Sequence, residues 1–181
     1  MSREELDHIL RAAGDVTGHK RFVLVGSNAI FAWYKSVPAI MARSREADLY
    51  ASDVSDEEAE RISDELENIG QLSQFDETHG YYVDGVGPHT AVLPIDWKAR
   101  CKLYVSEATL GVVALVPHPD DIALSKLCAG RDKDLEWVEA AYASDLINLG
   151  TIATRVEKLP GRTPEQNARI VDLIDAVRRR C

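Results

Sequence analysis

Two acidic side chains, Glu46 and Asp48, are separated by one residue in a segment that alternates polar and apolar positions. This alternation predicts a half-buried strand, on which side chains at i and i+2 share a face with Cα atoms about 6.5–7 Å apart. Two carboxylates at this spacing can share or bracket a hard divalent cation such as Mg²⁺. The pattern is weak by itself, because an exposed strand face can carry two acids by chance, so its meaning depends on the neighbouring segments.

The segment before this strand predicts a phosphate-binding turn. Gly26 and Ser27 come directly after the apolar run of residues 21–25 and directly before a predicted helix over residues 28–34. Small residues at such a turn let backbone N–H groups approach a phosphate, which then lies at the positive end of the helix dipole.

The segment after the strand supplies a third acid. Asp96 ends an apolar run that is predicted to form a strand over residues 90–96. If that strand pairs beside the one bearing Glu46 and Asp48, Asp96 completes a site of three carboxylates for two metal ions.

Two charged residues fall on predicted helices nearer the carboxyl end. Lys126 lies on or near the apolar face of the helix predicted from Asp120 to about Gly130. A buried lysine is costly unless it pairs with an anion, whereas a lysine at the edge of the face can extend its ammonium group into water. Asp134 lies on the inner side of the next helix, where the helix dipole alone also favours an acid near the N-terminus.

The periodicity of the whole chain predicts an α+β fold, a mixed β-sheet with flanking helices. Strands are predicted at residues 21–25, 46–51, 81–87, 90–96, 102–105 and 111–116. Helices are predicted at residues 3–13, 28–34, 55–69, 120–130, 132–149 and 164–180. We therefore expect a sheet-containing core over residues 1–116 and a helical region over residues 117–181 packed on that core.

Composition limits the classes of function. The net charge of −9 argues against indiscriminate binding to nucleic acid, which depends on neutralising phosphates. Residues 151–181 nevertheless carry seven basic and four acidic side chains, either as a solvated helix face or as a contact surface for an anionic substrate. The three widely spaced cysteines predict neither a disulfide framework nor a zinc site. With neither a secretory signal nor a membrane span in the sequence, we expect a cytoplasmic protein without a membrane partner.

Three segments resemble DNA polymerase β-like nucleotidyltransferases. The runs Phe-Val-Leu-Val-Gly-Ser-Asn-Ala-Ile at 22–30 and Ser-Arg-Glu-Ala-Asp-Leu-Tyr at 44–50 are similar to that family's hydrophobic strand, Gly-Ser turn and strand bearing Asp-x-Asp. Residues 119–137 are similar to the helices with Lys and then Lys/Arg-Asp in AbiEii-type toxin nucleotidyltransferases and their small uncharacterised relatives. The resemblance spans residues 22 to about 140.

The chain departs from the family pattern at the first acid of the strand. Glu46 stands where the family usually has Asp, which lengthens the side chain and can alter the activity. The long gap between Ser27 and Glu46 suits the AbiEii-like branch, and Arg43 and Ser44 only loosely match the family's Arg and Thr.

The resemblance implies an enzyme that transfers a nucleoside monophosphate from a nucleoside triphosphate to an acceptor hydroxyl, with Mg²⁺ or Mn²⁺ as cofactor. It implies metal binding by Glu46, Asp48 and Asp96, and nucleotide binding by Gly26, Ser27 and Lys126, with Asp134 orienting Lys126 or the substrate. For AbiEii-like relatives it implies an RNA acceptor, such as a tRNA 3′ end, and a cognate antitoxin as partner.

Two other functions fit the same residues. A degenerate nucleotidyltransferase fold that acts as a binding or regulatory protein is favoured by Glu46. An enzyme that adenylylates a protein partner is favoured by the anionic surface.

Overall fold

The computed structural model describes residues 1–181 and contains seven α-helices and five β-strands. The strands are β1 Arg21–Val25, β2 Glu46–Ala51, β3 Tyr82–Gly85, β4 Lys102–Tyr104 and β5 Val113–Val116. The helices are α1 Arg3–Thr17, α2 Asp56–Leu66, α3 Gln74–His79, α4 Pro119–Ala129, α5 Asp132–Ala143, α6 Leu149–Arg155 and α7 Pro164–Arg180. The predicted α+β class with a mixed sheet and flanking helices is confirmed.

The five strands form one sheet in the order β3-β2-β1-β5-β4. β1 runs antiparallel to β2 and parallel to β5, while β2 runs parallel to β3. The end of β1, where the chain turns at Gly26, therefore lies beside the start of β2. This arrangement puts the predicted phosphate-binding turn next to the predicted metal-binding acids.

The two faces of the sheet differ in what covers them. Inward-facing residues of β1 and β2 join a core of 37 buried residues that also includes side chains of α1, α2 and the helices after residue 116. On the other face, Val23 and Val25 pack with Leu93 and Trp97 in a small separate cluster. The alternation along β2 puts Glu46 and Asp48 on this second face, away from the main core.

The predicted strand over residues 90–96 does not form, and that prediction is wrong. Pro94 lacks the N–H group that a strand needs for pairing. The run instead crosses the sheet face, where Leu93 packs against Val23 and Val25. Ile95 donates its backbone hydrogen bond to the carbonyl of Lys158, and a 3-10 helix begins at Trp97.

Three predicted helices also differ from the structure. The predicted helix over residues 28–34 is a short 3-10 helix, Ser27–Ala32. The predicted helix over 132–149 is interrupted after α5, because Asp145 adopts φ +56° and Asn148 caps the start of α6. α4 begins at Pro119 with His118 as its N-cap, so Asp120 lies inside the first turn.

The strands end at Val116, and every α-helix after that point belongs to the carboxyl-terminal segment. The division into regions at residue 116 stays a prediction. None of the helices is both long enough and apolar enough to cross a membrane.

Candidate active site

A tight turn at Gly26 brings the end of β1 against β2. Gly26 has φ +73°, a conformation that residues with a side chain rarely adopt. A Cβ atom at this position would lie 1.7 Å from Oδ2 of Asp48. Glycine is therefore required for the Asp48 carboxylate to lie beside the turn, and Ser27 follows at the start of the 3-10 helix.

Three acidic side chains meet near this turn. Asp48 is in register with Val25 of β1 and with Asp84 of β3. Glu46 lies two residues before Asp48 on the same face of β2, and its Oε2 accepts a hydrogen bond from the Tyr82 hydroxyl at 3.2 Å. The strand register therefore groups Glu46, Asp48 and Asp84 at one edge of the turn.

The concentration of negative charge changes the acidity of Asp48. Burial, followed by the charges of Glu46 and Asp84, raises the pKa of Asp48 to about 7, although Lys126 partly opposes these effects. Burial and the charge of Glu46 also raise the pKa of Asp84. A cation bound between these carboxylates would relieve their repulsion.

Lys126 of α4 provides positive charge beside the acids and is only 8% exposed. Its Nζ donates hydrogen bonds to Oγ of Ser27 at 2.8 Å and to Oδ1 of Asp134 at 3.0 Å. The ammonium also lies 5.2 Å from the ring centroid of Trp137. Burial lowers the pKa of Lys126 in spite of Asp134. The lysine is thus a buried, paired group and does not extend into solvent.

Asp134 of α5 is 1% exposed and is held by two cations. Besides Lys126, the Nε of Arg131 donates a hydrogen bond to its Oδ2. Burial raises the pKa of Asp134, but the hydrogen bonds from Arg131 and Lys126 outweigh that effect and keep it below its usual value. Asp134 therefore remains a carboxylate and fixes the position of the Lys126 ammonium.

These groups line one cavity of about 480 Å³, a size that suits a nucleotide-sized ligand. Its polar wall contains the Gly-Ser turn, the three acids and the cationic side chains of α4 and α5. Its apolar wall comes from residues 90–93 and from Ile122. The polar residues of the wall are Gly26, Ser27, Glu46, Asp48, Asp84, Lys126, Arg131, Lys133 and Asp134.

Asp96, the predicted third metal ligand, does not line this cavity. Its carboxylate pairs with Nζ of Lys158 at 2.7 Å and with Nη1 of Arg100 at 2.9 Å. The hydrogen bonds from Lys158 and Arg100 lower the pKa of Asp96 to about 2. The prediction that Asp96 joins the other acids is corrected, because residues 90–96 do not form a strand beside β2. The structure places Asp84 in that position.

Asp84, Arg131 and Asn28 were missed in the sequence. Asp84 lies in a segment predicted as a strand, but no local pattern shows that this strand pairs with β2 in register with Asp48. Arg131 falls three residues before Asp134, a spacing at which helical side chains meet, and this signal could have found it.

Asn28 connects the turn to the acidic strand. It is fully buried, and its Nδ2 donates hydrogen bonds to the carbonyls of Ser44 at 3.0 Å and Glu46 at 2.7 Å. Because Asn28 directly follows Ser27, these two bonds fix the distance between the Gly-Ser turn and the start of β2. No sequence signal singled out this residue.

The carboxylates suit a hard divalent cation in part by themselves and in part with a phosphate ligand. No group of three or more His, Cys, Asp or Glu side chains is arranged to hold a metal ion. Mg²⁺, however, usually binds through one or two carboxylates together with waters and substrate phosphates. Oxygen donors on β2 and the raised pKa of Asp48 fit that mode of binding.

Comparison with known proteins agrees with this arrangement. Residues 4–175 match the family described as "Nucleotidyltransferase of unknown function (DUF6036)", and the chain belongs to this nucleotidyltransferase family. The chain is also 41% identical over 69 residues to one of the subunits of the aspartyl/glutamyl-tRNA(Asn/Gln) amidotransferase of Sinorhizobium fredii. That match covers 37% of this chain and 70% of the amidotransferase subunit, so it is a local similarity. No solved structure matches the chain significantly.

Proposed function

We propose that this protein is a divalent-metal-dependent nucleotidyltransferase that moves a nucleoside monophosphate from a nucleoside triphosphate to an acceptor hydroxyl. The observation that carries the proposal is the link from Ser27 through Lys126 to Asp134, which lies in the same cavity as Glu46 and Asp48. This cavity provides a Gly-Ser turn and an ammonium group for phosphates, next to carboxylates for a cation.

In the proposed reaction, the acceptor oxygen bonds to the α-phosphorus while the bond from this phosphorus to the oxygen bridging to the β-phosphate breaks. Pyrophosphate leaves with that electron pair, and the hydroxyl proton passes to water. Mg²⁺ or Mn²⁺, when bound by Glu46 and Asp48 with Asp84 nearby, supplies charge neutralisation and lowers the pKa of the acceptor hydroxyl.

The chain's own residues orient the triphosphate. Gly26 and Ser27 receive the β- and γ-phosphates at the end of β1. Lys126, held by Asp134, neutralises charge that develops on the leaving pyrophosphate, which is the main requirement of phosphoryl-type transfer. Because Lys126 already bonds to Ser27, turn and lysine act on the same group of the substrate.

Among nucleotidyltransferases, we place the protein near the AbiEii-type toxins, with an RNA acceptor and a cognate antitoxin. The support is the pairing of Lys126 with Asp134 between α4 and α5, at the positions where the sequence resembles those toxins. A catalytically degenerate, nucleotide-binding form is the second candidate. The raised pKa of Asp48 beside Glu46 favours it, because protonation at neutral pH competes with metal binding.

The test is transfer of label from each α-labelled nucleoside triphosphate to a total RNA pool in the presence of Mg²⁺. We expect transfer by the wild type, loss of transfer in Asp48→Asn, and near-wild-type transfer in Asp96→Asn. Equal transfer by wild type and Asp48→Asn would remove the assignment to this cavity. Metal-dependent nucleotide binding without transfer to any acceptor would support the degenerate form, and label in a protein would support protein adenylylation.

A further inference from the structure

A second cavity adjoins the one described above. It has a volume of about 300 Å³ and lies between the segment of residues 40–44 and helix α5. Ser27, Glu46, Lys133 and Asp134 line both cavities. A molecule in the second cavity therefore meets a nucleotide in the first one beside Glu46.

Two cations at the second cavity are available to a phosphate. Arg43 pairs with Glu136 at 3.3 Å, but their side chains are 70% and 53% exposed, and such surface pairs contribute little. Lys133 is exposed, and the neighbouring Asp134 pairs with Lys126 and Arg131 rather than with Lys133. A phosphate can therefore replace weak or absent partners at Arg43 and Lys133.

The opposite wall of the second cavity is apolar. Ile40, Met41 and Trp137 contribute to it. A ligand that fits both walls has an anionic group and a flat apolar group within the dimensions of the cavity. A nucleotide has this combination, whereas the hydroxyl of a protein side chain would use neither the cations nor the apolar wall.

We propose, on the basis of the proposed function, that the second cavity binds the terminal nucleotide of an oligoribonucleotide acceptor. Its phosphate lies at Arg43 and Lys133, its base lies against the apolar wall, and its hydroxyl lies toward Glu46. The volume of about 300 Å³ is at the lower limit for a small-ligand site, which suits one nucleotide. A net charge of −9 disfavours a long nucleic-acid interface and agrees with recognition of the end alone.

The test compares Arg43→Gln with Arg178→Gln. Both arginines are exposed and paired with an acid, but Arg178 pairs with Asp175 on α7 and lines neither cavity. The probe is a short oligoribonucleotide with a free 3′-hydroxyl, and label is supplied by each α-labelled nucleoside triphosphate. We expect Arg43→Gln to raise the KM for the oligoribonucleotide roughly 5- to 10-fold, with an unchanged KM for the nucleoside triphosphate. Arg178→Gln should leave both KM values unchanged.

Equal KM values in the two variants, or an equal rise of both KM values in Arg43→Gln, would overturn the inference. Calorimetric binding of Mg²⁺ and nucleoside triphosphate without transfer to the oligoribonucleotide would overturn the acceptor assignment while the nucleotide site stands. Label found in a protein instead would do the same. Absence of metal-dependent nucleotide binding in the wild type would overturn the proposed function and the inference with it.

Discussion

A Cβ atom at Gly26 would lie 1.7 Å from Oδ2 of Asp48, so the phosphate-binding turn and the central acid of the site can coexist only with glycine at this position. The sequence around them contains both features, but only the antiparallel pairing of β1 and β2 brings them together.

Gly26→Ala should displace the Asp48 carboxylate and abolish Mg²⁺-dependent nucleotide binding. Gly18→Ala is the matched control, since Gly18 also has a positive φ of +67° but has no atom within 4 Å of the added Cβ. Each variant introduces backbone strain of about 1–2 kcal/mol, so both should lower the free energy of unfolding by similar amounts. Urea unfolding and calorimetric titration separate the two effects. Equal loss of nucleotide binding in both variants would contradict the steric account.

Asp48→Asn should stabilise the metal-free protein at pH 8. The pKa of about 7 in the folded protein lies above the ordinary 3.8, so the folded state binds the proton more tightly than the unfolded state. Stability is therefore lost as pH rises from about 4 to about 7, and the ionised carboxylate costs on the order of 2–4 kcal/mol above that range. Urea unfolding from pH 5 to 8 without metal should show this slope in wild type and a shallower one in Asp48→Asn. Parallel curves would contradict the prediction.

The same shift predicts how metal binding depends on pH. Protons compete with Mg²⁺ for Asp48, so the apparent affinity for Mg²⁺ in the presence of nucleotide should rise from pH 6 to about pH 7 and level off above that value. Isothermal titration at several pH values measures this. An affinity that falls as pH rises through 7 would show that Asp48 is not involved in metal binding.

Lys126→Met should reduce kcat by roughly 10²- to 10³-fold, as expected when a charge-stabilising group is removed from a transition state. Lys102→Met is the control, because Lys102 also lies over a tryptophan ring, 5.5 Å from Trp33, and donates to the carbonyl of Ala32. It lines neither cavity. A similar fall in kcat in both variants would indicate a general loss of structure, which thermal unfolding of both would reveal.

Asp96→Asn should affect acid stability and leave nucleotide binding unchanged. Pairing with Lys158 and Arg100 lowers the pKa of Asp96 to about 2, so its contribution to stability is present above pH 4 and is lost as pH falls from about 4 to 2. The acid limb of the unfolding curve should therefore flatten in this variant. A loss of Mg²⁺-dependent nucleotide binding would return Asp96 to the site.

The sequence predicted the local features of the site better than its assembly. The Gly-Ser turn after β1 and the acids of β2 follow from periodicity and turn chemistry, which act between near neighbours. Asp84 reaches Asp48 through the register of two strands that lie 36 residues apart, measured from Asp48 to Asp84, and no local pattern specifies that register. Asp96 was misplaced because an apolar run resembled a strand, although Pro94 prevents pairing and Leu93 packs on the sheet face.

The helical positions show the same division. Lys126 was expected to need either an anionic partner or access to water, and burial in the structure selects the partner. The sequence alone could not choose, since the choice depends on how α4 packs against α5 and the turn. Asn28, by contrast, acts through two backbone carbonyls, which leave no trace in the identity of the residues that carry them.

The measurement that tests the central claim most directly is calorimetric titration of the protein with nucleoside triphosphates, with and without Mg²⁺, in wild type, Asp84→Asn and Asp96→Asn. We predict Mg²⁺-dependent binding of at least one nucleoside triphosphate by the wild type and by Asp96→Asn, and binding weakened about tenfold or more in Asp84→Asn. Binding that is indifferent to Mg²⁺, or that is lost in Asp96→Asn and kept in Asp84→Asn, would contradict a metal and nucleotide site at Asp48 and Asp84.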